Sequence, residues 1–444
     1  MSKSLIRRAG LGLAATVAVA GLAFGAALPA NAEPLGSPTY RSLAGAGSDT
    51  TQDVLNGLSQ SLTISGTKVI GSYNATGSAT IKTKSTGATF QRPNGSTEGV
   101  RALSAALQGT SYPATGGTTL SSTDLQFARS SSGVSSSLAS TTGPLQYIPM
   151  GIDAVTYATS PTTGSTPTRV PNGIIVGTTT SPTGTFAAPA PLTLRNIYNG
   201  GFVQVDPAVS TSQKFYAGTA YADQAALDAA FPPANTVIKL YPYLPQAGSG
   251  TRSFWATTVG INNTTPPAHV SSTFVDGTGV TRDVQEHNGQ VVSPGTGANR
   301  NPVARNAIVP FSISQFIAQG RAAALTTKYG VTVTNRRVSA ELRNIGAELP
   351  IEDGALNPDF PVRRSVYNVV ANSAITGANS GSQLAQVFVG STGLAYNQTT
   401  APDGSDADTA PDATITGNVI TDYGFAINPT AGLVDNSLRS NYVP

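Results

Sequence analysis

Short apolar strands alternate with amphipathic helices along most of this chain of 444 residues. Residues 41–47, 68–73 and 124–128 each predict a strand, and the first of them ends in glycines. Between them, leucine and valine recur at helical spacing over residues 54–62 and 100–107. This alternation is typical of an α/β fold, so we expect a largely parallel sheet with its ligand site at the carboxyl ends of the strands.

The middle of the chain predicts irregular connections between further strands and helices. Residues 145–158 predict two strands separated at residues 149–151, and residues 160–190 form a Thr/Ser/Pro/Gly-rich stretch typical of a surface loop. The acidic stretch 401–412 predicts another loop. Trp255, the only tryptophan, lies in a predicted helix, and we expect it in the core.

The first 32 residues have the pattern of an export signal. Lys3, Arg7 and Arg8 precede an apolar stretch over residues 9–28, and an Ala-Asn-Ala cleavage motif ends at Ala32. An uncleaved membrane anchor is the alternative, but glycine and alanine dominate the stretch. We expect cleavage after Ala32, by either the general or the twin-arginine route, and a secreted, extracytoplasmic protein.

The net charge of +3 comes from the three basic residues of this leader. The whole sequence has 26 Lys+Arg and 23 Asp+Glu, and three of the basic residues lie in the leader, so the rest has 23 of each sign. Proteins that track nucleic acid need a clustered basic face, and a neutral chain argues against one. The chain has no cysteine, which excludes disulfides and a lipid anchor on cysteine. No later apolar run is long enough to span a membrane. We also expect the protein to be a monomer.

Three turns rich in Gly, Ser and Thr each precede a predicted helix. They lie at residues 45–51 (GAGSDTT), 94–99 (NGSTEG) and 248–251 (GSGT). Glycine lets backbone N–H groups approach a ligand closely, hydroxyls add neutral donors, and a helix N-terminus carries a partial positive charge. One such turn is explained by helix capping alone, but three in one α/β chain favour an anion site.

The order of these turns resembles that in the phosphate-binding periplasmic proteins of ABC transporters, which have the two-lobed class II solute-binding fold. Three further segments match in order, namely PMGIDAV at 149–155, LTLRNIY at 192–198 and IVPFS at 308–312. The resemblance implies two α/β lobes joined by two hinge-crossing strands. Residues 33–152 plus 306–444 would form the first lobe and residues 153–305 the second.

The resemblance also implies a function. The protein would capture phosphate or a similar small oxyanion between its lobes for ABC-type uptake, close around it, and be recognised by an ABC permease if one is paired with it. After residue 32 the chain has 17 Arg and 6 Lys, which indicates a GC-rich genome, so we expect an actinobacterial-type secreted member. The implied ligand-binding residues are Ser48, Thr50, Thr51, Ser96, Ser130, Ser249, Gly250 and Thr251.

Two positions depart from the family pattern. The family has an arginine where this chain has Pro245, and an aspartate that accepts the proton of hydrogen phosphate where this chain continues through Arg129 and Ser130. Asp49 could supply the acceptor, or it could cap a helix. Arg129 or Arg252 could replace the guanidinium, or could form surface ion pairs. These departures put strict phosphate selectivity in doubt, and they motivate the alternative of a secreted surface or cell-wall protein that reuses the fold with no oxyanion ligand.

Other chemistry has little support in the sequence. His269 and His287 are the only histidines, both lie in loop-like sequence, and we expect both to be solvated. No G-x-S-x-G motif accompanies them, which disfavours a secreted hydrolase. We therefore expect no enzyme activity, no cofactor and no metal. The aspartates of the acidic loop could hold calcium, but a solvated loop is favoured; they are Asp403, Asp406, Asp408 and Asp412.

Overall fold

A computed structural model gives the fold of most of the chain. It describes residues 33–36, 38–178, 190–200, 202–205, 214–215, 225–226, 229, 236–396 and 418–444. Three features predicted from the sequence lie wholly or partly outside the described residues. They are the signal peptide over 1–32, the part of the long loop at 179–189, and the acidic loop with its four aspartates.

A ten-stranded sheet forms the centre of the fold. Seven strands follow the order β5-β6-β4-β8-β3-β1-β2, and β7, β9 and β10 also pair with β4. The strands are β1 (Leu43–Gly47), β2 (Ile70–Ser72), β3 (Phe127–Ser130), β4 (Leu145–Thr159), β5 (Tyr241–Pro242), β6 (Ala307–Ser312), β7 (Glu341–Leu342), β8 (Arg363–Ala371), β9 (Ala426–Ile427) and β10 (Arg439–Ser440).

The α/β class predicted from the sequence is confirmed, but the sheet is mixed and not largely parallel. β1 runs parallel to β2 and β3, and β5 runs parallel to β6. β4 is antiparallel to both β6 and β8, and β8 is antiparallel to β3. The expectation of parallel strands fails because β8 enters the sheet from a distant part of the chain, between strands that local alternation would make neighbours.

The expected pair of strands at residues 145–158 is wrong, because β4 is one strand of 15 residues. Its register with β8 shifts between Pro149 and Gly151, where the strand has a bulge. Proline cannot donate to the ladder and is tolerated in a sheet at such a bulge. The strand therefore continues through the predicted break, pairing with β8 over Leu145–Ala154 and with β6 over Val155–Ala158.

Helices and small sheets surround the central sheet. The helices are α1 (Gln52–Ser61), α2 (Ser96–Gln108), α3 (Leu194–Gly200), α4 (Gly250–Val259), α5 (Ile313–Gly320), α6 (Ala322–Tyr329), α7 (Gln383–Phe388) and α8 (Val419–Asp422). A four-stranded sheet contains Ala190–Pro191, Phe202–Val205, Lys214–Phe215 and Thr236–Lys239. None of the described helices has the length and apolar character needed to cross a membrane.

Two-stranded sheets and short 3-10 helices complete the described structure. The strand pairs are Thr63–Ile64 with Thr67–Lys68, Thr80–Lys82 with Thr89–Gln91, Ser111–Tyr112 with Thr118–Thr119, Thr273–Val275 with Thr281–Asp283, and Ile351–Glu352 with Ala355–Leu356. The 3-10 helices are Gly289–Val292, Ala304–Asn306, Asn372–Ala374, Gly377–Asn379 and Asn436–Leu438.

Several apolar clusters form the core. One contains the stripe of α1 with Val54, Leu55 and Leu58, as its helical spacing predicts. Another contains Trp255, which is fully buried as expected and stacks edge-on against Tyr198. Both clusters contain residues of the central sheet, so the sheet positions the turns that precede α1 and α4.

A glycine contact fixes α2 against the start of the first turn. A methyl group added at Gly99 would lie 2.5 Å from the Gly47 Cα and 2.9 Å from the Ala46 carbonyl oxygen. Those are backbone atoms and cannot move aside as a flexible side chain could. The close packing of α2 on β1 therefore depends on the missing side chain.

The substitution Gly99→Ala tests this contact. We expect it to lower the free energy of unfolding by about 1–3 kcal/mol, the usual cost of overpacking, measured by urea denaturation. Gly381→Ala is the matched control, because no atom lies within 4 Å of the added methyl group and the backbone there is not left-handed. Equal stability of the two variants would contradict a close α2–β1 contact.

Candidate functional site

The structure brings the three Gly/Ser/Thr turns together. The first turn follows β1, and Gly47 at its start forms a bridge with Asn94 of the second turn. The second and third turns also touch, since the Thr97 N–H donates to the Gly248 carbonyl over 3.3 Å. The parallel pairing of β1 and β3 places the end of β3 beside them.

Hydroxyl groups meet where the turns converge. Thr50 Oγ1 of the first turn lies 3.3 Å from Thr251 Oγ1 of the third turn. Ser96 Oγ of the second turn accepts a hydrogen bond from the Ser131 N–H over 3.0 Å. A methyl group on Gly250 would collide with the hydroxyls of Ser96 and Ser131. The missing side chain at Gly250 therefore leaves room for these two hydroxyls.

A carboxylate of the protein lies at the N-terminus of α4. The Ser249 hydroxyl caps this helix by accepting from the Arg252 N–H. The Thr251 N–H donates to Glu286 Oε1 over 3.0 Å. Glu286 is fully buried, which raises its pKa. The group that the third turn binds in this structure is thus an internal acid.

Arg364 contacts the hydroxyls of both the first and the third turn. Its Nη2 donates to Thr251 Oγ1 over 2.8 Å and to Thr50 Oγ1 over 3.4 Å, and it forms a 2.8 Å ion pair with Asp153. Asp153 and Arg364 face each other in the register of β4 and β8. No local sequence pattern points to Arg364, since its nearness to the turns follows from long-range strand pairing. Among the residues that the structure describes, no partner is found for its Nη1.

Arg129 supports the first turn from behind, which corrects its expected role as a ligand-binding guanidinium. Its Nε donates to the Ser48 carbonyl over 3.1 Å and its Nη2 to the Gly47 carbonyl over 3.3 Å, while Nη1 donates to Ser72 Oγ. Burial lowers the pKa of Arg129 to about 10, so the side chain stays charged at neutral pH. All three guanidinium nitrogens are thus engaged by the protein.

Arg252 is directed away from the turns, which corrects the second arginine proposed from the sequence. Its Nε and Nη2 donate to the Asn263 carbonyl, and its Nη1 donates to Ser272 Oγ over 2.6 Å. Nη1 also donates to the carbonyl of Pro245, the residue that replaces the family arginine. Arg252 therefore braces the loop before α4.

Asp49 pairs with an arginine and does not cap α1. Both of its oxygens accept from Arg336 Nη2, over 2.9 and 3.2 Å. α1 begins at Gln52 with Thr51 at its N-cap. The N-cap interpretation of Asp49 is thus wrong, and in this structure its carboxylate is held by Arg336, a residue 287 positions away.

His287 is buried, so the expectation of a solvated loop histidine is wrong. Its Nε2 lies 3.0 Å from Thr50 Oγ1, and its ring packs edge-on against Phe311. Burial lowers its pKa well below the usual value, with Arg336 and Arg364 adding to the effect. The polar composition of residues 262–304 predicts a loop, but that loop folds over an apolar cluster, and His287 is carried inward with it.

His269 and the hydroxyls of Ser48, Thr51 and Ser130 differ in burial and in hydrogen bonding. His269 is half-buried, with a ring nitrogen 3.2 Å from the Ile197 carbonyl oxygen. The Ser130 hydroxyl donates to the Ser132 carbonyl over 2.7 Å. Ser48 Oγ and Thr51 Oγ1 are buried and have no hydrogen-bond partner within the described ranges.

A pocket of about 720 Å³ opens beside the converged turns. Residues from the second turn, from the loop after β3, from α4 and from β8 line it, and Arg364 is among them. Phe254, Tyr147 and Tyr367 supply aromatic surface. Most of its polar lining consists of uncharged hydroxyls, namely Ser96, Thr97, Ser130, Ser131, Ser132, Ser135, Ser136, Ser253, Thr257 and Ser365.

Comparisons with known proteins give structural similarity only. No family model matches the chain, and no curated protein matches its sequence. The structure is similar to a putative phosphate ABC transporter substrate-binding protein with bound phosphate from Clostridium perfringens, with a TM-score of 0.39 and 10% identity over 87% of this chain and 100% of the other. It is also similar to an ABC-type phosphate transport receptor from Vibrio cholerae, with a TM-score of 0.37, 11% identity and the same coverage.

A phosphate-binding protein from Stenotrophomonas maltophilia is a further similar structure. Its TM-score is 0.33 and its identity 10%, over 88% of this chain and 91% of the other. At these identities and scores, the ligand and the partners of this chain have to be argued from its own residues.

The acid Asp53 beside Asp49 gives the site a dependence on pH. Burial raises the pKa of Asp53 from 3.8 to about 6. The folded state therefore holds this proton more tightly than the unfolded state, and the free energy of unfolding falls as the pH rises from about 4 to about 6. We expect Asp53→Asn to remove up to about 3 kcal/mol of this fall, measured by urea denaturation at several pH values.

Asp359→Asn is the control, because Asp359 is exposed and should leave the pH profile unchanged. If the free energy of unfolding falls equally with pH in the Asp53→Asn variant and in the unsubstituted protein, Asp53 is not the cause of the pH dependence.

Proposed function

We propose that the protein is an exported solute-binding protein that captures a small oxyanion, with phosphate as the first candidate, and that it is not an enzyme. One observation carries the proposal. Arg364 lines a hydroxyl-rich pocket beside three converging turns, and its Nη1 lacks a partner within the described part of the chain. A guanidinium with a free N–H next to serine hydroxyls is suited to binding an anion.

The energetics of such a site are sufficient. A hydrogen bond to a charged group contributes roughly 1.5–3 kcal/mol net, and micromolar binding needs about 8 kcal/mol. Arg364 and three or four hydroxyls, with Ser96 at the N-terminus of α2, would supply this. A neutral protein can therefore bind an anion through locally placed donors.

Selectivity for phosphate over sulfate requires a carboxylate that accepts the proton of hydrogen phosphate. None of the residues that line the pocket is an aspartate or a glutamate. Asp49, which the sequence offers for this role, is held by Arg336. We therefore propose that the pocket binds phosphate and sulfate with similar affinity.

The proposed lobes are those of the sequence prediction, 33–152 plus 306–444 and 153–305, with β4 and β6 as the crossing strands. Contacts between residues of the two segments support a closed arrangement around the cleft. They include the 3.3 Å approach of Thr50 to Thr251 and the hydrogen bond from the Thr97 N–H to the Gly248 carbonyl. Ligand release would then need the hinge to open, as in other two-lobed binding proteins.

Export and partners are part of the same proposal. The signal peptide would be cleaved after Ala32, leaving no lipid anchor, and an ABC permease would recognise the closed form if one is paired with the protein. Glu33, the first residue after the proposed cleavage point, forms a 2.9 Å ion pair with Arg92 and accepts a hydrogen bond from the Asn74 N–H. These contacts support a folded body that begins directly after the leader.

One observation favours the alternative of a surface or cell-wall protein with no oxyanion ligand. Glu286 accepts from the Thr251 N–H, so an internal carboxylate uses a donor that an anion at the third turn would need. On this alternative, the fold is retained and the third turn is satisfied by the protein itself.

Calorimetry with phosphate, sulfate and arsenate tests the oxyanion proposal. We expect micromolar binding of each, with phosphate and sulfate within about tenfold of each other. Arg364→Lys keeps a positive charge beside Asp153 but loses the planar donor pair, so we expect the dissociation constant to rise at least about tenfold, or ~1.4 kcal/mol.

Arg252→Lys is the matched control, because Arg252 lies on α4 but donates only to the protein. Its affinity should equal that of the unsubstituted protein. If none of the three oxyanions binds to the folded protein, the surface-protein alternative is supported. If Arg252→Lys weakens binding more than Arg364→Lys does, the assignment of the pocket is wrong.

Expression in a secreting bacterium tests the proposed export. We expect the protein in the medium to have the mass of residues 33–444, because cleavage after Ala32 removes the leader. Ala30→Arg should block cleavage, since the motif requires small residues, and the full-length chain should then stay with the cells. Secreted protein that still contains residues 1–32 would contradict cleavage after Ala32.

A further inference from the structure

Three buried side chains with metal-ligating atoms meet beside the first turn. Asp49, Glu286 and His287 each offer one ligand atom, and these atoms all lie within 4.8 Å of one another. All three side chains are at least 98% buried, since their exposed fractions are 2%, 0% and 1%. Two ligand atoms of one transition-metal ion lie at most about 4.4 Å apart, because each metal–ligand bond is about 2.0–2.2 Å long. A small inward shift of these side chains would therefore bring all three atoms within bonding distance of one ion.

Two of these side chains carry a buried atom without a hydrogen-bond partner. Glu286 Oε2 and His287 Nδ1 are both unsatisfied within the described residues. A buried polar atom without a partner costs about 1–3 kcal/mol, so two in one cluster need an explanation. A metal ion bound to both would satisfy them together.

The other polar atoms of these ligands are held in place. Glu286 Oε1 accepts from the Thr251 N–H, and His287 Nε2 lies 3.0 Å from Thr50 Oγ1. The Asp49 oxygens accept from Arg336 and keep further lone pairs for coordination. In metal sites, such outer contacts orient the ligands and fix the histidine tautomer.

Charged groups of both signs surround the cluster. Four buried carboxyl groups, those of Asp49, Asp53, Asp153 and Glu286, lie near the buried guanidinium groups of Arg129 and Arg364 and the partly exposed one of Arg336. The acids therefore outnumber the arginines.

We propose that Asp49, Glu286 and His287 bind a divalent transition-metal ion of the Zn²⁺ class, through Asp49 oxygen, Glu286 Oε2 and His287 Nδ1. One imidazole and two carboxylates suit such an ion better than Mg²⁺, which prefers oxygen ligands and retained waters. The metal would join the first turn to residues 286–287. The proposal does not depend on oxyanion binding.

Calorimetry with ZnCl₂ tests the site. The mature protein is treated with EDTA and dialysed into buffer free of metal and phosphate, so that oxyanion binding has no part in the result. We expect one Zn²⁺ per chain and a higher melting temperature with Zn²⁺ present, because the ion binds only the folded state. Glu286→Gln and His287→Gln should each weaken binding by at least about 100-fold.

His269→Gln is the matched control, since His269 is the other histidine and lies outside the cluster. It should bind Zn²⁺ as the unsubstituted protein does, and Mg²⁺ should not compete. If the cluster variants fail to fold, the visible spectrum of the unsubstituted protein with Co²⁺ decides, because low-coordinate nitrogen and oxygen ligation gives d–d bands absent from aqueous Co²⁺. Lack of stoichiometric Zn²⁺ uptake, loss of uptake in His269→Gln, or a Co²⁺ spectrum of the aqueous ion would each overturn the proposal.

Discussion

The buried ion pair between Asp153 and Arg364 holds the site together. Asp153 also accepts hydrogen bonds from the Ser312 hydroxyl and the Ser314 N–H, so one carboxylate ties β4 to β8 and to the start of α5. A buried pair offsets its desolvation only when further hydrogen bonds complete both groups. Asp153 accepts hydrogen bonds from all three of these groups. Arg364 Nη2, which donates to Asp153, also donates to the hydroxyls of Thr251 and Thr50. The position of both turns relative to the sheet therefore depends on this pair.

Features of the fold encoded by nearby residues could be predicted from the sequence. The apolar spacing of α1, the glycines before α2 and α4, and the burial of Trp255 all depend on a few consecutive turns of chain. The mixed sheet could not be predicted in the same way. β8 pairs with both β4 and β3, and that arrangement is set by packing between segments more than 200 residues apart.

The same contrast between local and long-range features holds for the candidate site. The three turns could be found because glycine and hydroxyl residues precede helices in the sequence itself. Their partners could not, because Arg336, Arg364 and Glu286 lie in segments whose local patterns indicate only a loop or a strand. Arg129 and Arg252 lie close in sequence to Ser130 and to the third turn, and both donate to backbone carbonyls that support the turns.

Two threonines connect the proposed anion pocket to the proposed metal cluster. Thr50 Oγ1 lies near both Arg364 Nη2 and His287 Nε2, while Thr251 receives Arg364 at its hydroxyl and donates its N–H to Glu286. An anion at Arg364 and a cation at Glu286 and His287 would therefore act on the same pair of residues. Binding at either place would hold Thr50 and Thr251 in one arrangement. Because linkage is reciprocal, each ligand would then strengthen the binding of the other.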